Sequence, residues 1–444
     1  MGEICGITSF MTGRLEVGLL FFRLLLVLLL AGLLPGCVKL TLAWSDLSPK
    51  GTPAMPEALA SFEGNDTVDG LEVWEEARID ALRQSFQAQV YGVMPDASST
   101  EIIESRVLDE AAFDGAGRLE EYVLRATASF QDVERQTAPF VMNVILPADA
   151  ADPVPIILMQ TFCPRWNTIP HPSISRPEGA RDCRSSMSGV INYVFGRYIA
   201  TPPLEMILSR GYGVATIYPS EIVPDRGEEG LAALAKLSAG HLDDDTRWGA
   251  IAAWGWSYSR MVDVLLSDER FDADGLVTFG HSRYGKAALV AAAFDERISG
   301  VISHQSGTGG ASLNRDKKGE SVGAITESYP HWFSKTYAGF AGRESEMQID
   351  QHHLLALLAP RPVMLGNARR DVWSDPNGAF KAAIGADPVY ELYGKKGLTR
   401  DRLNKFDPSA DISFWIRPGT HGIVKEDWPA FLEFLDAHFM TIGS

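Results

Sequence analysis

Residues 279–289 read Phe279-Gly280-His281-Ser282-Arg283-Tyr284-Gly285-Lys286-Ala287-Ala288-Leu289, and two unrelated motifs fit them at once. Gly280, four residues, then Gly285-Lys286 has the spacing of a phosphate-cradling loop. Gly-x-Ser followed by a glycine and a small-residue helix is the pattern of a nucleophile elbow. Both need a strand, a tight turn and a helix, so only chemistry separates them. A phosphate loop requires Ser or Thr after its lysine to hold Mg²⁺, and Ala287 has no oxygen to offer. The elbow requires a serine at the apex of the turn with small neighbours, which Gly280, Gly285, Ala287 and Ala288 supply. The spacing here is Gly-x-Ser-x-x-Gly, one residue longer than the usual elbow, so this motif is weak without support elsewhere.

Support comes from chain order. Short apolar runs at Val154–Met159, Gly213–Tyr218, Leu276–Phe279, Ile298–His304, Pro362–Gly366 and Ile412–Arg417 alternate with helical spacing at Leu204–Arg210, Trp248–Ser267 and Trp428–Phe439. Such alternation predicts a mostly parallel sheet with helices on both faces, an α/β three-layer sandwich. Upstream, Leu71–Val90 has helical periodicity, and Tyr122–Phe130 with Pro139–Leu146 suggests an antiparallel pair. The loop after Pro362–Gly366 carries Asp371 and Asp375, and Pro418-Gly419-Thr420-His421-Gly422 follows the last strand. Ser282, Asp371 and His421 thus stand in the order nucleophile, acid, base, each just past the carboxyl end of a predicted strand. A serine hydroxyl becomes nucleophilic when an imidazole takes its proton and a carboxylate fixes that imidazole's tautomer. The Arg283 N–H, next after the nucleophile, is the expected oxyanion donor. Asp375, in an Asp-Pro pair, reads first as a turn former. His352 and His353 read as structural, and His281 and His304 as loop residues with no obvious proton to move. No zinc-type spacing occurs.

The net charge of −17 and the absence of a basic stripe argue against nucleic-acid binding. An anionic substrate would need a locally positive pocket. From Leu19 to Leu34 the chain is almost wholly apolar, but the uninterrupted core after Arg23 is only 11 residues, which suits an export signal rather than a membrane-spanning helix. Leu34-Pro35-Gly36-Cys37 is similar to a lipoprotein cleavage site. Acylation of Cys37, plain cleavage and an uncleaved anchor all stay open, so membrane attachment does too. Periplasmic, outer-membrane and secreted destinations follow alike. Residues 1–37 are therefore read as the signal, 38–70 as a Pro- and Ser-rich linker, and 71–444 as one catalytic domain, a monomer. Cys163 and Cys183 close a short loop and are either a disulfide or two unrelated thiols, which geometry decides.

The elbow is identified as a member of a known pattern. Gly280-His281-Ser282-Arg283-Tyr284-Gly285-Lys286 resembles the Gly-x-Ser-Arg-x-Gly-Lys signature of glucuronoyl esterases, carbohydrate esterase family fifteen, particularly the bacterial members. The similarity extends to Val90–Pro95, Arg210-Gly211-Tyr212, Ser306–Gly310, Tyr329–Phe333, Asp350-Gln351-His352, Ala359–Val363 and Asp371–Pro376. What the resemblance implies is an α/β-hydrolase fold and cleavage of esters between 4-O-methyl-glucuronic acid on xylan and lignin alcohols, with no metal or cofactor. It further implies Ser282 as nucleophile and His421 as base. Arg283 would assist the oxyanion with backbone and side chain, Lys286 and Glu320 would hydrogen-bond sugar hydroxyls, and Trp373 would pack on the sugar ring. Lys286 as a solvated helix residue and Trp373 as a core aromatic are the plain alternatives.

Two departures matter. Many members carry the acid just before the Ser-Gly-x-Gly-Gly run, where this chain has Gln305, so Asp371 is expected to serve. The loop Gln160–Asn167 lacks the glycines expected near a second oxyanion donor, which leaves that donor unassigned. Two rival readings stand beside the first: an α/β-hydrolase for another ester such as acetylated xylan, and a surface protein that binds glucuronoxylan without turnover.

Overall fold

The computed structural model describes residues 55–60, 70–150, 153–174, 176–178, 183, 195–238, 245–398 and 406–440. The chain divides into two units, Met1–Leu47 and Ser48–Ser444, and all described residues belong to the second. The export signal and Cys37 lie outside the described residues, as does most of the linker. The part of the linker that is described packs inward: Ala58 is buried, and the Pro56 carbonyl meets His352 Nε2 at 2.8 Å. Among the described residues no helix is long and apolar enough to cross a membrane.

The apolar stripe at 71–90 becomes one continuous helix, α1, made of Leu71–Val73, Trp74–Arg78, Ile79–Phe86 and Gln87–Tyr91, with π turns in the second and fourth pieces. Trp74, Leu82, Phe86 and Val90 lie along its buried face. It stops at Gly92, at φ 80°, where a Cβ would sit 2.1 Å from the Arg247 carbonyl oxygen.

Ten strands among the described residues form one sheet: β1 (Ala97–Ala111), β2 (Gly117–Phe130), β3 (Val133–Gln136), β4 (Phe140–Pro147), β5 (Val154–Gln160), β6 (Gly213–Ile217), β7 (Phe271–His281), β8 (Gly300–His304), β9 (Val363–Ala368) and β10 (Ile412–Arg417). Their order is β1-β2-β4-β6-β5-β7-β8-β9-β10, with β3 on β2. Pairings from β1 to β6 are antiparallel, and those from β6 through β10 are parallel. The two-residue period decides which side chain faces which layer. Ile156 and Leu158 of β5 enter one core, with helices α3 (Gly227–Ser238), α4 (Ala250–Leu265), α5 (Arg283–Phe294) and α6 (Gln351–Ala356); Ile157 and Met159 enter the other, with α2 (Leu204–Leu208) and α8 (Asp427–Phe439). Both faces are covered, so the parallel strands read as unbroken apolar runs. α4 and α5 approach closely because Gly255 meets Ala287 and Val290, where a Cβ would come within 3.2 Å of the Ala287 carbonyl.

β1 has no counterpart in the apolar pattern. Its 15 residues are mostly exposed, with Ile102, Ile103 and Val107 on the surface, and its register against β2 shifts at Ile102/Glu104 and Val107/Asp109. β7 also runs through His281 and β8 through His304, so these two histidines close strands rather than lie in loops.

Cys163 and Cys183 form a disulfide, with their Cα atoms 5.6 Å apart and a separation of 20 positions. Closing a loop of that length restricts the unfolded chain by about 3 kcal/mol in the chain-entropy picture. Reduction, or the Cys163→Ser/Cys183→Ser pair, should therefore lower the melting temperature measured by calorimetry, whereas the single-cysteine variants should lose no less than the pair.

Candidate active site

Four adjacent parallel strands, β7 to β10, deliver the candidate residues at their carboxyl ends. Ser282 follows β7 directly and starts α5 with φ 56° and ψ −122°. A side chain at such a dihedral is strained and persists only where neighbours enforce it. They do so here: Ser282 N donates to the His304 carbonyl at 2.8 Å, and the Ser282 carbonyl accepts from Gly285 N at 3.0 Å and Lys286 N at 3.2 Å. Gly280 must be glycine, since a Cβ there would meet the Tyr284 carbonyl oxygen at 2.0 Å. Gly285 packs against it in turn, with the Gly280 carbonyl oxygen 2.9 Å from where its Cβ would stand. The serine thus caps a helix N-terminus whose first N–H groups have no intrahelical acceptor.

Asp371 and His421 come together from the loops after β9 and β10. His421 Nδ1 lies 2.7 Å from Asp371 Oδ2. Burial would raise the Asp371 carboxyl, but the His421 contact and two hydrogen bonds from Ser374 outweigh it and hold the group below the usual carboxylate range. An ionised carboxylate only accepts, so His421 Nδ1 donates to it and proton exchange with a substrate falls to Nε2. Ser374 Oγ sits 3.4 Å from His421 Nδ1 and 3.3 Å from the Gln305 carbonyl, so its single proton is shared between that carbonyl and Asp371. Asp375 faces elsewhere: its carboxylate accepts from Gly378 N and caps the helix α7 (Pro376–Leu392).

The His421 ring lies tilted against His281, with centroids 4.6 Å apart. His281 Nδ1 in turn meets His304 Nδ1 at 3.0 Å. Burial first, then neighbouring positive groups, push both inner histidines well below their ordinary pKa, so the pair is neutral and one ring donates to the other. His353 Nδ1 accepts from Asp350 N in a capping box, and His352 reaches Pro56; both are structural. Among the described residues no group of three His, Cys, Asp or Glu side chains could hold a metal ion.

The Arg283 side chain is not free in the pocket. It ion-pairs with Asp225 and lies between Phe162, 5.6 Å from the ring centroid, and Trp332, at 5.1 Å. Asp225 also accepts from Trp332 Nε1 at 2.9 Å and His331 Nε2 at 3.1 Å. Burial, then the Arg283 and Arg247 charges, lower His331 to about 4, so it donates as a neutral ring. Asp225 and Ser374 escaped the sequence reading. Asp225 sits in an ordinary-looking turn, and Ser374 carried no signal beyond its place in Asp371–Pro376.

Lys286 is buried rather than solvated, and its ammonium donates to the carbonyl oxygens of Ser306 and of Thr308, the latter at 2.7 Å. Burial lowers it to about 7, against a partial counter-effect from Glu320. Glu320 is buried too; its N–H donates to the Trp373 carbonyl at 3.1 Å and its carbonyl accepts from Thr308 Oγ1. Trp373 is 58 % exposed, so it is a surface aromatic beside Asp371 and no part of the core. At the carboxyl end of β5, Gln160 Nε2 is tied to the Trp254 carbonyl at 2.5 Å and Ser257 Oγ at 2.9 Å.

The mixed sheet, the strand–turn–helix serine and the acid and imidazole after the later strands define an α/β-hydrolase. The family model for fungal glucuronyl esterases matches residues 241–394. Carbohydrate esterase MZ0003, from an unknown prokaryotic organism, is 35% identical over 412 residues, which cover 89% of this chain and 91% of that one. A carbohydrate esterase family 15 structure described as a promiscuous esterase from a marine bacterial metagenome superposes with a TM-score of 0.76 at 31% identity, over 89% of this chain and 99% of that one. The 4-O-methyl-glucuronoyl methylesterase of Phanerochaete carnosa is 34% identical over 154 residues, 33% of this chain and 38% of that one. The chain belongs to carbohydrate esterase family 15, the glucuronoyl esterases, and is a carboxylic ester hydrolase.

The depressed Lys286 gives a stability test with a definite sign. Its folded value near 7 lies below the 10.5 of an unperturbed lysine, so between them the unfolded chain binds more protons than the folded one. Burying the ammonium costs most below pH 7, and that cost fades as pH rises toward 10. The melting-temperature difference, Lys286→Met minus wild type, should therefore fall steadily from pH 7 to pH 10; a flat or rising difference contradicts the burial argument.

Proposed function

We propose that this enzyme hydrolyses the ester between 4-O-methyl-glucuronic acid on glucuronoxylan and a lignin-type alcohol, through Ser282, His421 and Asp371. The observation that carries the reading is the 2.7 Å contact from His421 Nδ1 to an ionised Asp371, on the same end of the sheet as a serine strained at the head of α5. Ser282 Oγ attacks the ester carbonyl carbon while its proton passes to His421 Nε2. The oxyanion is met by the Arg283 N–H, a donor whose loss in comparable sites costs about 3–4 kcal/mol. On collapse the alcohol leaves with the proton from His421, and the glucuronoyl group stays esterified to Ser282. Water then attacks the acyl-enzyme, giving its proton to His421, and Ser282 leaves as the restored hydroxyl with glucuronate released.

Asp371 stabilises the imidazolium at each stage, which Gln305 could not do by charge. In its protonated form Lys286 has three protons and two carbonyl acceptors, which leaves one for a sugar hydroxyl. Glu320 and the exposed Trp373 supply a carboxylate and an apolar face, the usual means of holding a sugar. The Cys163–Cys183 disulfide supports an exported enzyme.

The test is turnover of benzyl glucuronate and p-nitrophenyl acetate by wild type beside Ser282→Ala. Wild type should prefer the glucuronate and the variant should be inactive on both. A clear preference for the acetate favours the reading as an esterase for other acyl groups. Asp371→Asn should lower kcat by roughly three to four orders of magnitude, as a mis-set tautomer does in related triads; near-normal turnover would move the acid elsewhere.

A further inference from the structure

We infer that Gln305 is a positioning residue that fixes the turn carrying His421 from both sides; the inference rests on the triad reading above. Gln305 follows β8 and is 2 % exposed, with φ 50°, a conformation that a non-glycine side chain adopts only under constraint. Its own N–H donates to the Gly366 carbonyl of β9 at 2.8 Å, which anchors it to the sheet rather than to the turn. From that anchor the carboxamide reaches the peptides flanking His421. Oε1 accepts from Gly422 N at 2.7 Å, and Nε2 donates to the Thr420 carbonyl at 3.4 Å. Its backbone carbonyl accepts from Ser374 Oγ, the hydroxyl beside both His421 Nδ1 and Asp371. The residue before it, His304, holds the Ser282 N–H. One short stretch, His304-Gln305, therefore touches the supports of nucleophile, acid and base.

An amide is what this position requires. It must donate to a carbonyl and accept from an N–H through the two ends of one side chain, which a carboxylate cannot do. Arg417, the other anchor of the turn, donates to the carbonyl oxygens of Pro418, Thr420 and Gly422. It leaves the Gly422 N–H to Gln305, and a buried N–H without its acceptor costs more than the bond itself contributes. Gly422, at φ 144°, has the Phe195 carbonyl 2.1 Å from where a Cβ would stand, so the turn cannot be stiffened by a larger residue there.

The test compares Gln305→Met, which keeps the length but neither polar end, with Gln305→Glu, which keeps the acceptor for Gly422. On benzyl glucuronate, Gln305→Met should lower kcat about 10- to 100-fold with KM within about twofold, since misplacement by a fraction of an ångström acts on the chemical step. Gln305→Glu should lower kcat less, about 5- to 10-fold, because only the contact to Thr420 is lost and replaced by repulsion. The downfield proton resonance of the His421–Asp371 hydrogen bond should shift or broaden in both. Folding is checked by melting temperature, and if Gln305→Met does not fold, Gln305→Glu decides. A kcat unchanged or raised in the folded variants, or a loss confined to KM, overturns the inference. If instead wild type itself is inactive on the ester, or Ser282→Ala is not, it is the triad reading that fails.

Discussion

The strained backbone of Ser282 is the constraint on which the rest of the site depends. A residue at φ 56° and ψ −122° relaxes unless several contacts deny it every other conformation. Three hydrogen bonds and one glycine do so, drawn from three parts of the fold: the β8 carbonyl, the first turn of α5, which supplies two of the bonds, and the close approach of Gly280 to Tyr284. The parallel pairing of β7 with β8 thus does more than build a sheet. It sets the His304 carbonyl under the serine and, one residue on, Gln305 under the turn of His421.

The charged groups around the elbow are all restrained by partners of their own. Arg283 is held by Asp225 and two aromatic faces, Lys286 by two carbonyls, and Asp371 by His421 and Ser374. The inner histidines are kept neutral by burial, so His421 can gain a proton without a second cation already stacked against it. Donors held in place before substrate arrives need no reorganisation when charge develops, which is where most electrostatic stabilisation in such sites originates.

The parallel half of the sheet and its connecting helices were legible in the sequence, because strands covered on both faces are unbroken apolar runs. Chain order then put Ser282, Asp371 and His421 at strand ends, where β7, β9 and β10 deliver them. β1 was not legible, since a strand exposed along its length carries neither alternation nor apolar run. Nor were the hydrogen-bonded His281 and His304, the Asp225 tether or the Ser374 bridge, each of which joins residues far apart in the chain by contacts without local periodicity. Trp373 and Lys286 had plain alternatives in the sequence, core aromatic and solvated lysine, and the burial observed is the reverse of both.

The two register shifts in β1 have a consequence for how the molecule meets others of its kind. An outer strand with surface isoleucines and valine offers unpaired backbone groups to any neighbouring chain. Here the ladder against β2 is cut into a run of six pairs, Ala97 to Ile102, a run of four, Glu104 to Val107, and a single pair at Asp109. Each bulge bends and twists the strand, so the outer edge offers no long straight row of donors and acceptors. The irregularity that hid β1 from a pattern search therefore acts as a guard against fibrillar self-association.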